Sequence, residues 1–300
     1  MRRKIIKQGV ATLTISLPAK WTKKYKLNAG DELDVEAKDG SLVIRTGKPV
    51  EVKKEVLDLT KIDALIKRIV ASKYLKGADE IEIKFDDIKK ARVIQQRVKE
   101  MIGMEVIFQG KNYLVIKDIS GSAEEAFDPI LRRVFFMIKV VAEESLKTLK
   151  KQETDLSYLE DMEANINSFT DYCIRILNKK GYPEFWKTPM IMGLVGRLEQ
   201  LADAYKLLTG YITKNKIVLN PGMIKIFEMD YDLFKKFEAL FYNFAYANAI
   251  AMAKSRDKII SEIDKKIEAA KTPKEVWILK SLREITEITI KLMDPNLIMA

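Results

Sequence analysis

The spacing of apolar positions divides the chain into three regions. In the first, residues 1–49, a strand leads through Ile15-Ser16-Leu17 into Pro18, and Ala19-Lys20-Trp21 opens a short helix, because proline suits the first helical turn. Gly30-Asp31 reads as a turn, Leu33 to Val35 as a strand, and Asp39-Gly40 as a hairpin turn into a strand at Leu42-Val43-Ile44. Gly47-Lys48-Pro49 ends the region. The second, residues 50–120, mixes both periods. Ile62, Leu65, Ile66, Ile69 and Val70 mark one face of a helix from Asp63 to Tyr74, and Glu80 to Phe85 alternates as a strand. Asp87 to Met101 is a second helix stopped at Gly103, and Met104–Phe108 pairs with Tyr113–Ile119 as a hairpin. The third, residues 121–300, is helical throughout. Its helices are expected at 123–150, 155–179, 184–213, 221–246, 247–270 and 273–293, with breaks at Gly181-Tyr182-Pro183, Asn220-Pro221-Gly222 and Thr272-Pro273. Long amphipathic helices with short connections imply antiparallel bundles.

Composition excludes several chemistries. The 300 residues contain no histidine, so imidazole acid–base catalysis, serine–histidine triads and imidazole metal sites are absent. Cys173 is the single cysteine, which forbids an intramolecular disulfide or a cysteine zinc cluster. No Gly-rich phosphate cradle occurs, and no nucleophile–base pairing is legible, so an enzyme is not expected. The start of the chain lacks the apolar run of a signal peptide and no stretch approaches a membrane span, so cytoplasm is the expected location, without membrane insertion.

Charge then singles out the first region. The net charge is +10, and the ionisable residues up to Gly30 are all basic: Arg2, Arg3, Lys4, Lys7, Lys20, Lys23, Lys24 and Lys26. Acids begin at Asp31, so one side of this region can face phosphates while the other stays solvated. A lysine-rich solvated surface gives the same composition. About fifty residues also bury too little apolar surface to stand alone, so a partner chain is expected to complete the core. The Leu17-Pro18-x-x-Trp21 and Gly30-Asp31-x-Leu33 pattern resembles the SpoVT/AbrB swapped-hairpin DNA-binding domain, in the version found at the front of archaeal PhoU-like phosphate uptake regulators. The resemblance implies a homodimer on double-stranded DNA, with Arg2, Arg3, Lys4 and Lys7 as the first group of phosphate contacts and Lys20, Lys23 and Lys24 as the second.

A weak internal repeat marks the helical region. Leu194, Leu198, Leu201, Tyr205 and Leu208 form an apolar stripe, as do Ile278, Leu282, Ile285, Ile288 and Leu292. Each stripe runs beside carboxylates: Glu199 and Asp203 in the first, Glu284 in the second. Glu199 and Asp203 are four apart and project from one helix face, a pair that is unfavourable unless solvated, protonated or bridged by a cation. Two three-helix units in tandem with Leu198-Glu199-x-Leu201-Ala202-Asp203 resemble the PhoU fold, whose acidic positions bind metal. That resemblance implies an all-oxygen site for iron, Mn²⁺ or Mg²⁺, with Ca²⁺ also suited. The alternative is ordinary salt bridging: Lys206 follows Asp203, and Glu284 with Lys280 and Glu287 with Lys291 have helical ion-pair spacing.

The expected fold is therefore multidomain: a β-rich swapped-hairpin head at 1–49, a small α+β linker module at 50–120, and an all-α body of tandem three-helix bundles at 121–300. Phe227, Tyr231, Phe234, Phe237, Phe241 and Phe244 recur at helical spacing and read as core rather than a base-stacking platform. By resemblance the chain is a DNA-binding regulator of phosphate uptake whose body contacts a phosphate transporter or signalling protein. The alternative is an adaptor that binds no DNA and uses its head only to dimerise.

Overall fold

The computed structural model describes residues 2–38, 40–46, 52–120, 127–151 and 157–300. They form two compact units, residues 1–52 and 53–300.

The first unit contains two hairpins and a short helix. β1 (Ile6–Gln8) pairs antiparallel with β2 (Thr12–Thr14), Lys7 opposite Leu13, where one strand was expected. Gly9 turns the chain between them at φ +74°, a backbone conformation open to glycine at little cost. α1 (Ala19–Lys24) starts after Pro18, whose carbonyl accepts from the backbone N–H groups of Trp21 and Thr22. β3 (Leu33–Lys38) pairs antiparallel with β4 (Ser41–Thr46), and the Lys38–Ser41 register leaves a two-residue turn, of which Asp39 lies outside the described residues. Alternation places Leu33, Val35 and Ala37 on one face with Leu42 and Ile44. No described side chain of this unit is buried.

The second unit begins with a strand that the apolar pattern did not predict, β5 (Lys54–Asp58). It is followed by α2 (Ile66–Leu75), β6 (Glu80–Lys84), α3 (Ile88–Lys99), β7 (Met104–Gln109) and β8 (Tyr113–Asp118). The sheet runs β5-β6-β8-β7, with β5 and β6 parallel and the other pairs antiparallel. α2 starts at Ile66 and not at Asp63, because Leu65 takes a left-handed backbone at φ +60°. Asp87 caps α3 by accepting from the backbone N–H of Lys89.

The helical body comprises α4 (Phe127–Lys151), α5 (Ser157–Lys180), α6 (Thr188–Lys214), α7 (Pro221–Tyr242), α8 (Tyr246–Glu268), α9 (Pro273–Lys291) and a short α10 (Met293–Met299) that the sequence pattern does not separate. α4, α5 and α6 pack mutually, as do α7, α8 and α9, and α4 against α7 and α6 against α9 join the two triplets. Phe227, Phe234 and Phe237 are fully buried, and Phe135 of α4 stacks among them, so the aromatic stripe is core. The α/β module and the helical body, expected as separate regions, belong to one compact unit. Arg175 of α5 fastens them. Only 2 % exposed, it donates to the carbonyls of Tyr74 and Ala78 and to Asp118 Oδ2, at 2.9, 2.7 and 2.7 Å.

Candidate nucleic-acid interface

Arg2, Arg3, Lys4, Lys7, Lys20, Lys23 and Lys24 are all exposed. The first group lies before and within β1, and the second lies along α1, whose last turn carries Lys23 and Lys24. Arg3 Nη1 donates to Ser16 Oγ at 3.3 Å, which ties the segment before β1 to the segment before α1 and so links the two groups. The strand register puts Lys7 directly opposite exposed Leu13, so cationic and apolar surface share one hairpin face. At the end of α1 the rings of Trp21 and Tyr25 lie 5.6 Å apart, and Lys24 Nζ sits 5.3 Å from the Tyr25 ring centre. Asp31, the first of the acids, accepts from the backbone N–H of Asn28 at 2.8 Å and so fixes the turn before β3. Chemically this is an exposed cationic surface suited to polyanions. Its lysines neutralise charge, and Arg2 and Arg3 offer forked donors.

The carboxylates of the helical body have a different setting. Glu199 is half-buried on α6, and burial together with the nearby charges of Asp171 and Asp203 pushes its carboxyl up to about 7. Asp171 is itself raised by burial, against the ion pair it makes with Arg97 of α3. Asp203 hydrogen-bonds Glu163 of α5, which requires a proton between them, and burial with that bond raises Asp203. Burial also acts on Glu163, but bonds from Lys206 at 2.6 Å and Asn167 at 2.6 Å outweigh it and hold Glu163 low. Lys206 thus pairs across to α5 and not with Asp203. Glu284 is exposed on α9, and among the described residues no three acids are gathered to hold a metal ion. Two expected ladders are also corrected. Among the described residues Glu284 makes no ion pair with Lys280, and Glu287 pairs with Arg256 of α8 in place of Lys291. Sequence spacing gives no sign of Arg97, which lies 74 positions from Asp171.

Cys173 is fully buried, and burial pushes its thiol up to about 12, which makes it inert. No described helix is long and apolar enough to cross a membrane.

Comparison with known proteins bears on the head alone. No curated protein and no solved structure matches the chain. Residues 6–52 match one family model, described as antidote-toxin recognition MazE, bacterial antitoxin. The head is accordingly similar to a MazE-type, antitoxin-like domain.

Proposed function

We propose that this chain is a non-enzymatic, DNA-binding regulator that acts as a dimer interlocked through its N-terminal hairpins. The observation that carries the reading is a head with open apolar faces and a cationic surface in the same fifty residues. Ile5, Ile6, Leu13, Val35 and Leu42 are each more than half exposed, from 58 % to 68 %. Exchange of hairpins between two chains covers these faces and doubles the array of Arg2, Arg3, Lys4, Lys7, Lys20, Lys23 and Lys24. Phosphate contacts by such an array release counterions, so affinity falls steeply with salt. With Arg2 and Arg3 as the two arginines of this array, base readout is modest.

The phosphate-uptake part of the proposal rests on the resemblance of the helical body to PhoU-like proteins, and the two mutually packed helix triplets are consistent with it. In that reading the body relays phosphate status through a transporter or signalling partner in the cytoplasm.

A mobility-shift titration at two salt concentrations, on duplex from the gene's own upstream region, tests DNA binding. The expected result is steep salt dependence for the native chain, and loss of the shift in an Arg3→Glu, Lys4→Glu variant that remains dimeric. Unchanged binding by that variant removes these residues from the interface. No salt-dependent binding by the native chain leaves the head as a dimerisation device only.

A further inference from the structure

We infer that the helical body binds a free α-amino acid with an aromatic side chain, in a cavity where the ends of four helical segments meet. The cavity, about 300 Å³, has among its lining residues Asp128 and Arg132 of α4, Tyr182 and Lys187 of the α5–α6 connection, Ile191 of α6, Tyr242 of α7 and Asn296 of α10. That volume is at the small end of ligand pockets, the size class of single metabolites.

Three of its groups lack partners. Among the described residues Arg132 makes neither an ion pair nor a hydrogen bond, and its guanidinium instead lies 4.2 Å from the Tyr242 ring centre. Stacking holds the fork in one place while leaving its N–H groups unspent, the arrangement that suits a bidentate carboxylate. Asp128 is one turn before Arg132 on the same helix, yet the two do not pair, and among the described residues Asp128 pairs with no other cation. Asn296 is 5 % exposed, and its Oδ1 is buried without a donor. Leaving such an acceptor unsatisfied is costly, and each case calls for an explanation.

These groups describe a ligand with two charges of opposite sign beside an apolar body. A carboxylate answers Arg132. An ammonium carries enough donors to satisfy both the Asp128 carboxylate and Asn296 Oδ1. Lys187, the second cation of the lining, is paired with Glu184 at 3.3 Å, and the aromatic part of the wall is well packed: Ile191 is buried, Tyr182 is edge-on to Phe127 at 5.8 Å, and Tyr242 is edge-on to Phe241 at 5.0 Å. An aromatic side chain fills that wall with offset or edge contacts. A simple inorganic anion leaves Asp128, Asn296 and the rings unused. A simple amine leaves Arg132 facing no counter-charge.

The test is calorimetric titration of the full chain with L-phenylalanine, 3-phenylpropanoate, 2-phenylethylamine and inorganic phosphate. The expected result is one site per chain for L-phenylalanine, in the micromolar-to-millimolar range proper to so small a ligand. Each truncated analogue should bind at least about tenfold more weakly. Arg132→Gln should remove the advantage over 2-phenylethylamine, and Asp128→Asn the advantage over 3-phenylpropanoate. Both positions are exposed, so the variants should keep the native circular dichroism spectrum and melting point. Absence of binding by L-phenylalanine at millimolar concentration overturns the inference. So does equal binding of the analogues, or of phosphate, or an affinity unchanged in both variants. The assay contains no DNA, so its outcome is independent of whether the head binds duplex.

Discussion

The two units of this chain use similar apolar residues to opposite ends. In residues 53–300, side chains such as Leu198, Tyr205, Phe234 and Ile285 reach zero exposure because helices and sheet close over them. In residues 2–46 not one described side chain is buried, although the two hairpins carry Ile, Val and Leu in proper alternation. Apolar content and correct local structure therefore do not make a core. Closure does, and a segment this short has little surface with which to close over itself.

Three experiments can break or sharpen that contrast. The largest effect is expected within the closed unit. Arg175→Met should remove the one donor group shared by Asp118 Oδ2 and the carbonyls of Tyr74 and Ala78, at a cost of about 3 kcal/mol. Urea unfolding should show it as an earlier midpoint, with hydrogen exchange accelerated first in the α/β module. An unchanged midpoint means that the module and the body are held together by other contacts.

A smaller effect separates the units by concentration. If a second chain completes the head, its apparent stability should fall by about 1.4 kcal/mol for each tenfold dilution. The helical transition should stay fixed. Calorimetry over a dilution series reads both, and a head transition indifferent to dilution shows closure within one protomer.

The smallest effect concerns Glu199. Its carboxyl is raised in the folded chain to about 7, from 4.5. Stability from its protonated form is thus fully present below about pH 4.5 and is lost as pH rises through about 7. Glu199→Gln should match the native chain in acid and exceed it above about pH 8. Screening of this partly exposed group limits the gain to about 1 kcal/mol. Parallel denaturation curves across that range, with no crossing toward the variant, refute the shift.

Much of this architecture is legible in the sequence because its signals are local. Pro221, Pro273 and Gly181 punctuate the helices at the expected breaks, and the stripes through Leu198 and Leu282 are buried. β5 escapes the apolar pattern because its residues alternate mainly among Lys54, Glu55 and Asp58, with Leu57 as its one buried side chain, as suits an edge strand. β1 and β2 read as one strand because each has three residues and Gly9 alone signals the turn. The seven candidate contact residues of the head stand out by composition, since exposure is their default. The surroundings of Glu199 do not, because Arg97, Asp171 and Glu163 arrive from other helices. Ion-pair ladders at helical spacing fail for a related reason: Arg256 reaches Glu287 from a neighbouring helix in place of Lys291.

The sealed position of Cys173 has a practical consequence. Because the chain's one native thiol is walled off and protonated, a cysteine placed anywhere on the surface becomes its sole target for thiol-directed dyes or spin labels. Distances between head and body can then be read by spectroscopy without first deleting a core residue.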